Sequence, residues 1–332
     1  MRGDFLLISG MFILAVALAA VATWLVRGWA RRVGLGQTVR DDGPQSHLAK
    51  MGTPTLGGLG MLSVIALLTG GLWLLRGRGL SPAVPLAVAL SLLFGAIGFA
   101  DDWSKLRYKR PLGLKARTRL PLEFILAAAF AFLLIYTQTV TPAGGLAQII
   151  PLGAGVGFVL FAMVMLVGFG NAANLTDGLD GLAGGVSCFC ALSLGGACWM
   201  LGHHDLAILC AIVAGAAAGF LWLNAAPATI FMGDVGSLGL GAILAAVAVA
   251  ARLELLLCVF GVVFVVEAMS VIIQVLYFRA SGGRRIFRMA PYHHHLELGG
   301  LAETKIVIRF WIITIVAGAA GLGFVAALVL GS

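Results

Sequence analysis

The sequence predicts an all-α, polytopic integral membrane protein with about ten transmembrane helices. Three observations predict it. Of 332 residues, 61% are apolar and only 11% charged, where a soluble domain carries about 25% charge; the mean hydropathy is +1.04. Several apolar runs reach the ~20 residues that a helix needs to cross a bilayer. None alternates with period two, which argues against a barrel. The 46 glycines fit helices packed closely in lipid.

The expected spans lie near 5–26, 56–75, 82–100, 120–137, 149–170, 179–201, 205–224, 236–251, 253–278 and 306–330. The first carries a cleavage-like ALAAVATW, but its cations (Arg27, Arg31, Arg32) follow the apolar run instead of preceding it. That order and the length of the run predict a retained span, not a secretory signal. Only a short turn separates the sixth span from the seventh. With no linker or low-complexity tract, residues 1–332 read as one transmembrane domain. The five cysteines (Cys188, Cys190, Cys198, Cys210, Cys258) sit in apolar runs without a CxxC pair, so they read as small packing residues.

The net charge of +8 reads as topology and attraction for anionic lipids and ligands, with no nucleic acid as partner. Of 22 cations, five follow span one (Arg27, Arg31, Arg32, Arg40, Lys50) and seven follow span three (Lys105, Arg107, Lys109, Arg110, Lys115, Arg117, Arg119). Five more follow span nine (Arg279, Arg284, Arg285, Arg288, Lys305). This bias places those loops in the cytoplasm and both termini outside it. By alternation the loops NAANLTDGLDG (171–181) and NAAPATIFMGDVGS (224–237) share that side. All the unusual polar clusters thus converge on one face, which points to a catalytic or transport site there.

Asp101 and Asp102 end a long apolar run and precede Lys105, Arg107, Lys109 and Arg110. As helix neighbours they are expected to face differently, and either to have different roles or to leave one as a cap only. The cations behind them suit phosphate; solvated residues at the membrane boundary are the plain alternative. In the next cluster, Asn171 with Asn174 and Asp177 with Asp180 would each share a face if helical. Asp177 or Thr176 could equally cap span six. Asp234, between Gly233 and Gly236, offers a hard oxygen of the kind Mg²⁺ prefers, or a cap for span eight. KMGTPTLGG (50–58), with Lys50, Thr53 and Thr55, is a weak phosphate-loop signal without the Walker A order. In PYHHHLELGG (291–300), a short helix would bring His293 to Glu297. Three consecutive histidines fit one zinc ion poorly, so contact with a phosphate or sugar is favoured. His203, His204 and Asp205 read as an ordinary outer turn. Glu267, deep in span nine, reads as an internal hydrogen bond, a break in the span or a ligand contact.

Six strings, GPQSHLAKMGTPTLGG, GFADDWSK, NAANLTDGLDGLAGG, FMGDVGSLGLG, VVEAMSVIIQV and PYHHHLELGG, run in this order from residue 43 to 300. Together they resemble the phospho-N-acetylmuramoyl-pentapeptide transferases, within the polyprenyl-phosphate N-acetylhexosamine-1-phosphate transferase superfamily. The HHH string favours this branch over relatives that use UDP-N-acetylglucosamine. The resemblance implies ten transmembrane helices in the bacterial inner membrane, a cytoplasmic active site, Mg²⁺ dependence and a homodimer. It implies that undecaprenyl phosphate and UDP-N-acetylmuramoyl-pentapeptide give lipid I and UMP. Asp234 then matches the Mg²⁺-binding aspartate, with Asp101 or Asp102 as a further ligand; Asp101, Asp102, Asp234 and His294 are the catalytic candidates. Asn174, Asp177 and Asp180 match the family's polar loop. Lys50, Thr53, Thr55, Lys105, Lys115, Arg119, Asn171, His293 and His295 complete the candidate substrate contacts. Two positions depart from the pattern: Arg119 stands where lysine is frequent, and Leu56 where methionine is common.

Two other classes share some of these features. An intramembrane prenyltransferase also uses aspartates and Mg²⁺, but its paired DxxxD-like motifs are wider than the Asp177–Asp180 spacing. A transporter needs repeated broken helices and polar groups at mid-membrane, and only Glu267 reads as deep.

Overall fold

The computed structural model describes residues 2–36, 50, 52–108, 113–139 and 155–331. Arg40, Lys109 and Arg110 of the basic loops lie outside the described residues, as do 43–49 and 51 of the first matching string and 149–154 of the fifth expected span. The fold is all-helical. Its elements are α1 (Arg2–Val33), α2 (Gly58–Arg76), α3 (Ala83–Tyr108), α4 (Ala116–Tyr136), α5 (Val156–Thr176), α6 (Leu182–Met200), α7 (His204–Asn224), α8 (Gly233–Ala251), α9 (Glu254–Phe260), α10 (Val262–Ala280), α11 (Tyr292–Glu297) and α12 (Glu303–Gly331). All but α9 and α11 are long and apolar enough to cross a membrane, ten among the described residues. Lipid offers no partner for backbone N–H and C=O groups, so apolar runs of this length close their hydrogen bonds within helices.

The centre of the bundle is α8, whose sequence GDVGSLGLGAILAAVAVAA is almost entirely Gly, Ala and aliphatic residues. Small side chains let three neighbours approach it closely. A methyl at Gly58 of α2 would lie 2.2 Å from Gly236, one at Gly98 of α3 would lie 2.2 Å from the Asp234 carbonyl, and one at Gly241 of α8 would lie 2.4 Å from the Phe169 carbonyl of α5. These glycines set the position of the start of α8, and therefore of Asp234, against α3. The outer helices turn apolar residues outward: Leu6 and Ile13 of α1, Ile125 and Phe132 of α4, Leu276 of α10 and Val316 of α12 are all exposed, as lipid contact requires.

Helix ends differ from the expected spans where the polar residues begin. The third span was expected to stop at Ala100, yet α3 continues to Tyr108, so Asp101, Asp102 and Lys105 are helical. α4 starts at Ala116 and carries Arg119 as well as Glu123. The ninth expected span, 253–278, is two helices: α9 ends at Phe260 and α10 begins at Val262. The break lies at Gly261, which packs against Phe169 and Phe264, and not at Glu267. α6 opens at Leu182 after Gly181 in the left-handed region, with no side-chain cap; neither Asp177 nor Thr176 caps it.

Backbone pairing ties the loops of one end together. Phe231 N–H donates to the Pro54 carbonyl, and Gly57 N–H to that of Phe231, each at 2.8 Å. The weak loop signal KMGTPTLGG thus becomes a brace on the segment leading to Asp234. At the opposite end, Asp205 accepts from Arg76 and from the Ser81 N–H, both at 2.9 Å. The 203–205 turn therefore clamps the α2–α3 connection.

Candidate active site

The ends of α3, α4, α5 and α8 bring their polar residues to one place. On α3, Asp101 and Asp102 are buried. Because the helix continues, Lys105 lies one turn further on and its Nζ reaches both, at 2.6 Å to Asp101 Oδ2 and 3.6 Å to Asp102 Oδ1. It also donates to Asp234 Oδ2 on α8 at 2.9 Å. The two adjacent aspartates thus reach one cluster, against the expectation of different faces. They still differ in their second contacts: Asp101 Oδ1 accepts from the Leu114 N–H at 2.6 Å, and Asp102 Oδ2 from the Val235 N–H at 3.1 Å. Asp101 therefore fixes the start of the α4 loop, and Asp102 the first turn of α8. Gly233 is required between them: its φ is +75°, and a Cβ there would lie 2.5 Å from Asp102 Oδ2.

One oxygen from each of Asp101, Asp102 and Asp234 falls within 4.8 Å of the others, an arrangement that could hold a metal ion. The Lys105 ammonium contacts all three carboxylates and stands in as the positive charge that such a group demands. The donor set is hard oxygen throughout, which suits a hard divalent cation. Around it, Asn174 Nδ2 donates to Ser237 Oγ at 3.0 Å, and Arg119 Nη2 to Asn171 Oδ1 at 2.7 Å.

A second group gathers next to the first. Lys50 Nζ donates to Asp180 Oδ1 at 2.8 Å and also to Glu303 of α12. Asp180 Oδ2 accepts from the Ala228 N–H at 2.9 Å. Burial works against the Lys50 ammonium, but the two carboxylates outweigh it and hold its pKa above the usual lysine value. Asp177 and Asp180 lie in the turn between α5 and α6, not on a helix, and do not share a face. Burial first, and then the charges of Asp234, Asp102 and Asp180, push the Asp177 carboxyl up to about 8. Asp177 therefore senses both groups.

The histidine string forms the third side. α11 is the expected short helix, but Glu297 pairs with His294 at 3.3 Å and not with His293. His293 is fully buried and turns inward to Glu267 of α10: its backbone N–H donates to Oε1 and its Nδ1 meets Oε2, both at 3.1 Å. Its Nε2 is buried without a hydrogen bond and abuts Gly178, where a Cβ would lie 2.2 Å away. Glu267 is thus an internal partner that docks α11 onto the Asp177 turn. His295 serves the loop instead, with its Nδ1 accepting from the Arg288 N–H at 3.1 Å and its ring stacked on Tyr292. Lys115 is exposed at the start of α4, Thr55 is buried beneath Gly233, and Thr53 donates its N–H to the Lys50 carbonyl at 3.1 Å.

A family model described as glycosyl transferase family 4 matches residues 84–252, the segment holding all three clustered aspartates. A phospho-N-acetylmuramoyl-pentapeptide-transferase of Rhodopseudomonas palustris (strain BisA53) is 44% identical over 318 residues, covering 90% of this chain and 87% of that protein. The chain belongs to the phospho-N-acetylmuramoyl-pentapeptide transferase family. Three contacts of the transferase were not legible as site features in its sequence. Glu123 and Ser237 are lone polar residues in apolar runs and Glu303 opens the short polar start of α12, and only the packing of α4, α8 and α12 shows that they face Arg119, Asn174 and Lys50.

Proposed function

We propose that the chain transfers phospho-N-acetylmuramoyl-pentapeptide from its UDP-activated form to undecaprenyl phosphate, giving lipid I and UMP. The observation that carries this reading is the convergence of Asp101, Asp102 and Asp234 around Lys105 in a chain 44% identical to such a transferase. In this reading the domain is single, and the site opens to the cytoplasm because the basic loops end there. The protein then spans the bacterial inner membrane with both termini outside the cytoplasm. A homodimer, which the sequence resemblance implies, is part of the same reading.

The reaction must bring two anions together. Asp234, with Asp101 or Asp102, would hold Mg²⁺, which when bound withdraws charge from the phosphate that leaves with UMP. Lys105 and Arg119 line the same cluster and offset the remaining negative charge. The lipid phosphate is a monoester whose second pKa of ~6 leaves it mostly dianionic at neutral pH. It can attack without a general base, so Asp101 and Asp102 position groups more than they remove protons. Lys50, Asp180 and the His293–His294 segment border the space where the nucleotide sugar would lie. A single displacement follows, and trapping a phosphorylated enzyme with nucleotide sugar alone would replace it with a double one.

Purified protein given undecaprenyl phosphate, Mg²⁺ and labelled UDP-N-acetylmuramoyl-pentapeptide is expected to release UMP and form a labelled lipid. Chelation of the cation should stop both, and UDP-N-acetylglucosamine should give no product. Repeated turnover to UMP without lipid phosphate, beyond one UMP per enzyme, or preference for UDP-N-acetylglucosamine, would overturn the assignment.

A further inference from the structure

We propose that Glu123 is a positioning residue that acts through Arg119, fixing the guanidinium so that Nη1 alone faces the Asp101–Asp102–Asp234 cluster. The inference deepens the transferase reading and rests on it. Glu123 is fully buried within α4, where a carboxylate needs partners. Its Oε1 meets Arg119 Nε at 3.2 Å, one helical turn back, as an ion pair and not an aligned hydrogen bond. Its Oε2 accepts from Asn171 Nδ2 at 2.5 Å. The same Nδ2 donates to the Val167 carbonyl at 2.9 Å, which fixes the amide so that Oδ1 accepts from Arg119 Nη2 at 2.7 Å. Glu123, Asn171 and Arg119 thus form a closed triangle.

The triangle engages two guanidinium nitrogens and leaves the third. Nη1 stands 3.6 Å from Asp234 Oδ2, within ion-pair range but too far for a hydrogen bond. A phosphate oxygen sharing a cation with Asp234 would meet an N–H already aimed at it. Without the Glu123 charge, the guanidinium is drawn onto Asp234 and competes with a cation for that carboxylate. Glutamine cannot substitute, because its NH₂ would face a donor at Asn171 or at Arg119. Aspartate keeps the charge but withdraws it by one methylene, pulling Nη1 back from the cluster.

The test uses the full-length, detergent-solubilised protein and titrates Mn²⁺ alone, read by electron paramagnetic resonance. Glu123→Gln is expected to weaken Mn²⁺ binding about tenfold, and less than about twofold when Arg119→Gln is already present, since coupled residues are non-additive. Glu123→Asp should bind Mn²⁺ within about threefold of wild type yet turn over at least about tenfold more slowly, with little change in KM for the nucleotide sugar. Equal Mn²⁺ loss in both backgrounds, or wild-type turnover by Glu123→Asp, would overturn the proposal. The same Mn²⁺ pattern across the variants, with no UMP released by the wild type, would refute the transferase reading and support the role of Glu123 in placing Arg119.

Discussion

Replacing Asp234 by Asn is expected to lower kcat for lipid-product formation by at least about 10³-fold, the scale of losing a metal-centred charge stabilisation. The substitution keeps the shape of the side chain and removes one of three clustered charges. Lys105 would then face two carboxylates in place of three, and Arg119 would lose its ion-pair partner in the cluster. Folding should suffer little, because α8 is held by glycine contacts and aliphatic burial along its length and the Asp234 side chain retains 19% exposure. Product formation and a thermal melt on the same preparation check this. Loss of activity with an unshifted melt is the expected pair. Activity within tenfold of wild type would remove Asp234 from the reaction.

Glu267→Ala should have the second largest effect, on stability as well as activity. Glu267 and His293 are both fully buried, and the carboxylate satisfies the His293 backbone N–H and faces its Nδ1. Removing it strands two buried polar groups, at a cost of about 2–4 kcal/mol. The melting temperature should fall by several degrees. The docking of α11 against the Asp177–Gly178 turn should loosen, exposing His293 to modification by diethyl pyrocarbonate. Glu267→Gln, which keeps an acceptor for the N–H, should recover most of the stability. A melt and histidine reactivity both unchanged in Glu267→Ala would show that the pair contributes nothing to holding this face.

Much of this architecture was legible from patterns of long range. The apolar runs became helices of membrane-crossing length, ten among the described residues, because lipid offers backbone groups no partner. The alternation of spans put the Asp101, Asp177 and Asp234 segments on one face, and the structure joins them through Lys105, Asn174 and Ser237. What sequence reading lost was register at the helix ends. Stopping α3 at Ala100 hid the one-turn relation of Asp101 to Lys105. Starting the fourth span at 120 set Arg119 outside the helix, so its i,i+4 relation to Glu123 was hidden. Polar residues end a hydropathy window but not a helix when partners on neighbouring helices satisfy them. The pairing of His293 was missed for a related reason. Spacing favoured Glu297, four residues away, yet a buried carboxylate 26 residues upstream was the stronger partner. The break at Gly261 carried only one glycine as a signal, between the apolar stretches 255–260 and 262–266.

The central claim is that carboxylates from α3 and α8 surround one divalent cation. The most direct measurement is anomalous X-ray diffraction from crystals of the protein soaked in Mn²⁺. The account predicts a peak bonded to an Asp234 oxygen and to Asp101 or Asp102, absent from the Asp234→Asn protein. A peak elsewhere in the bundle, or one that persists unchanged after that substitution, would contradict it.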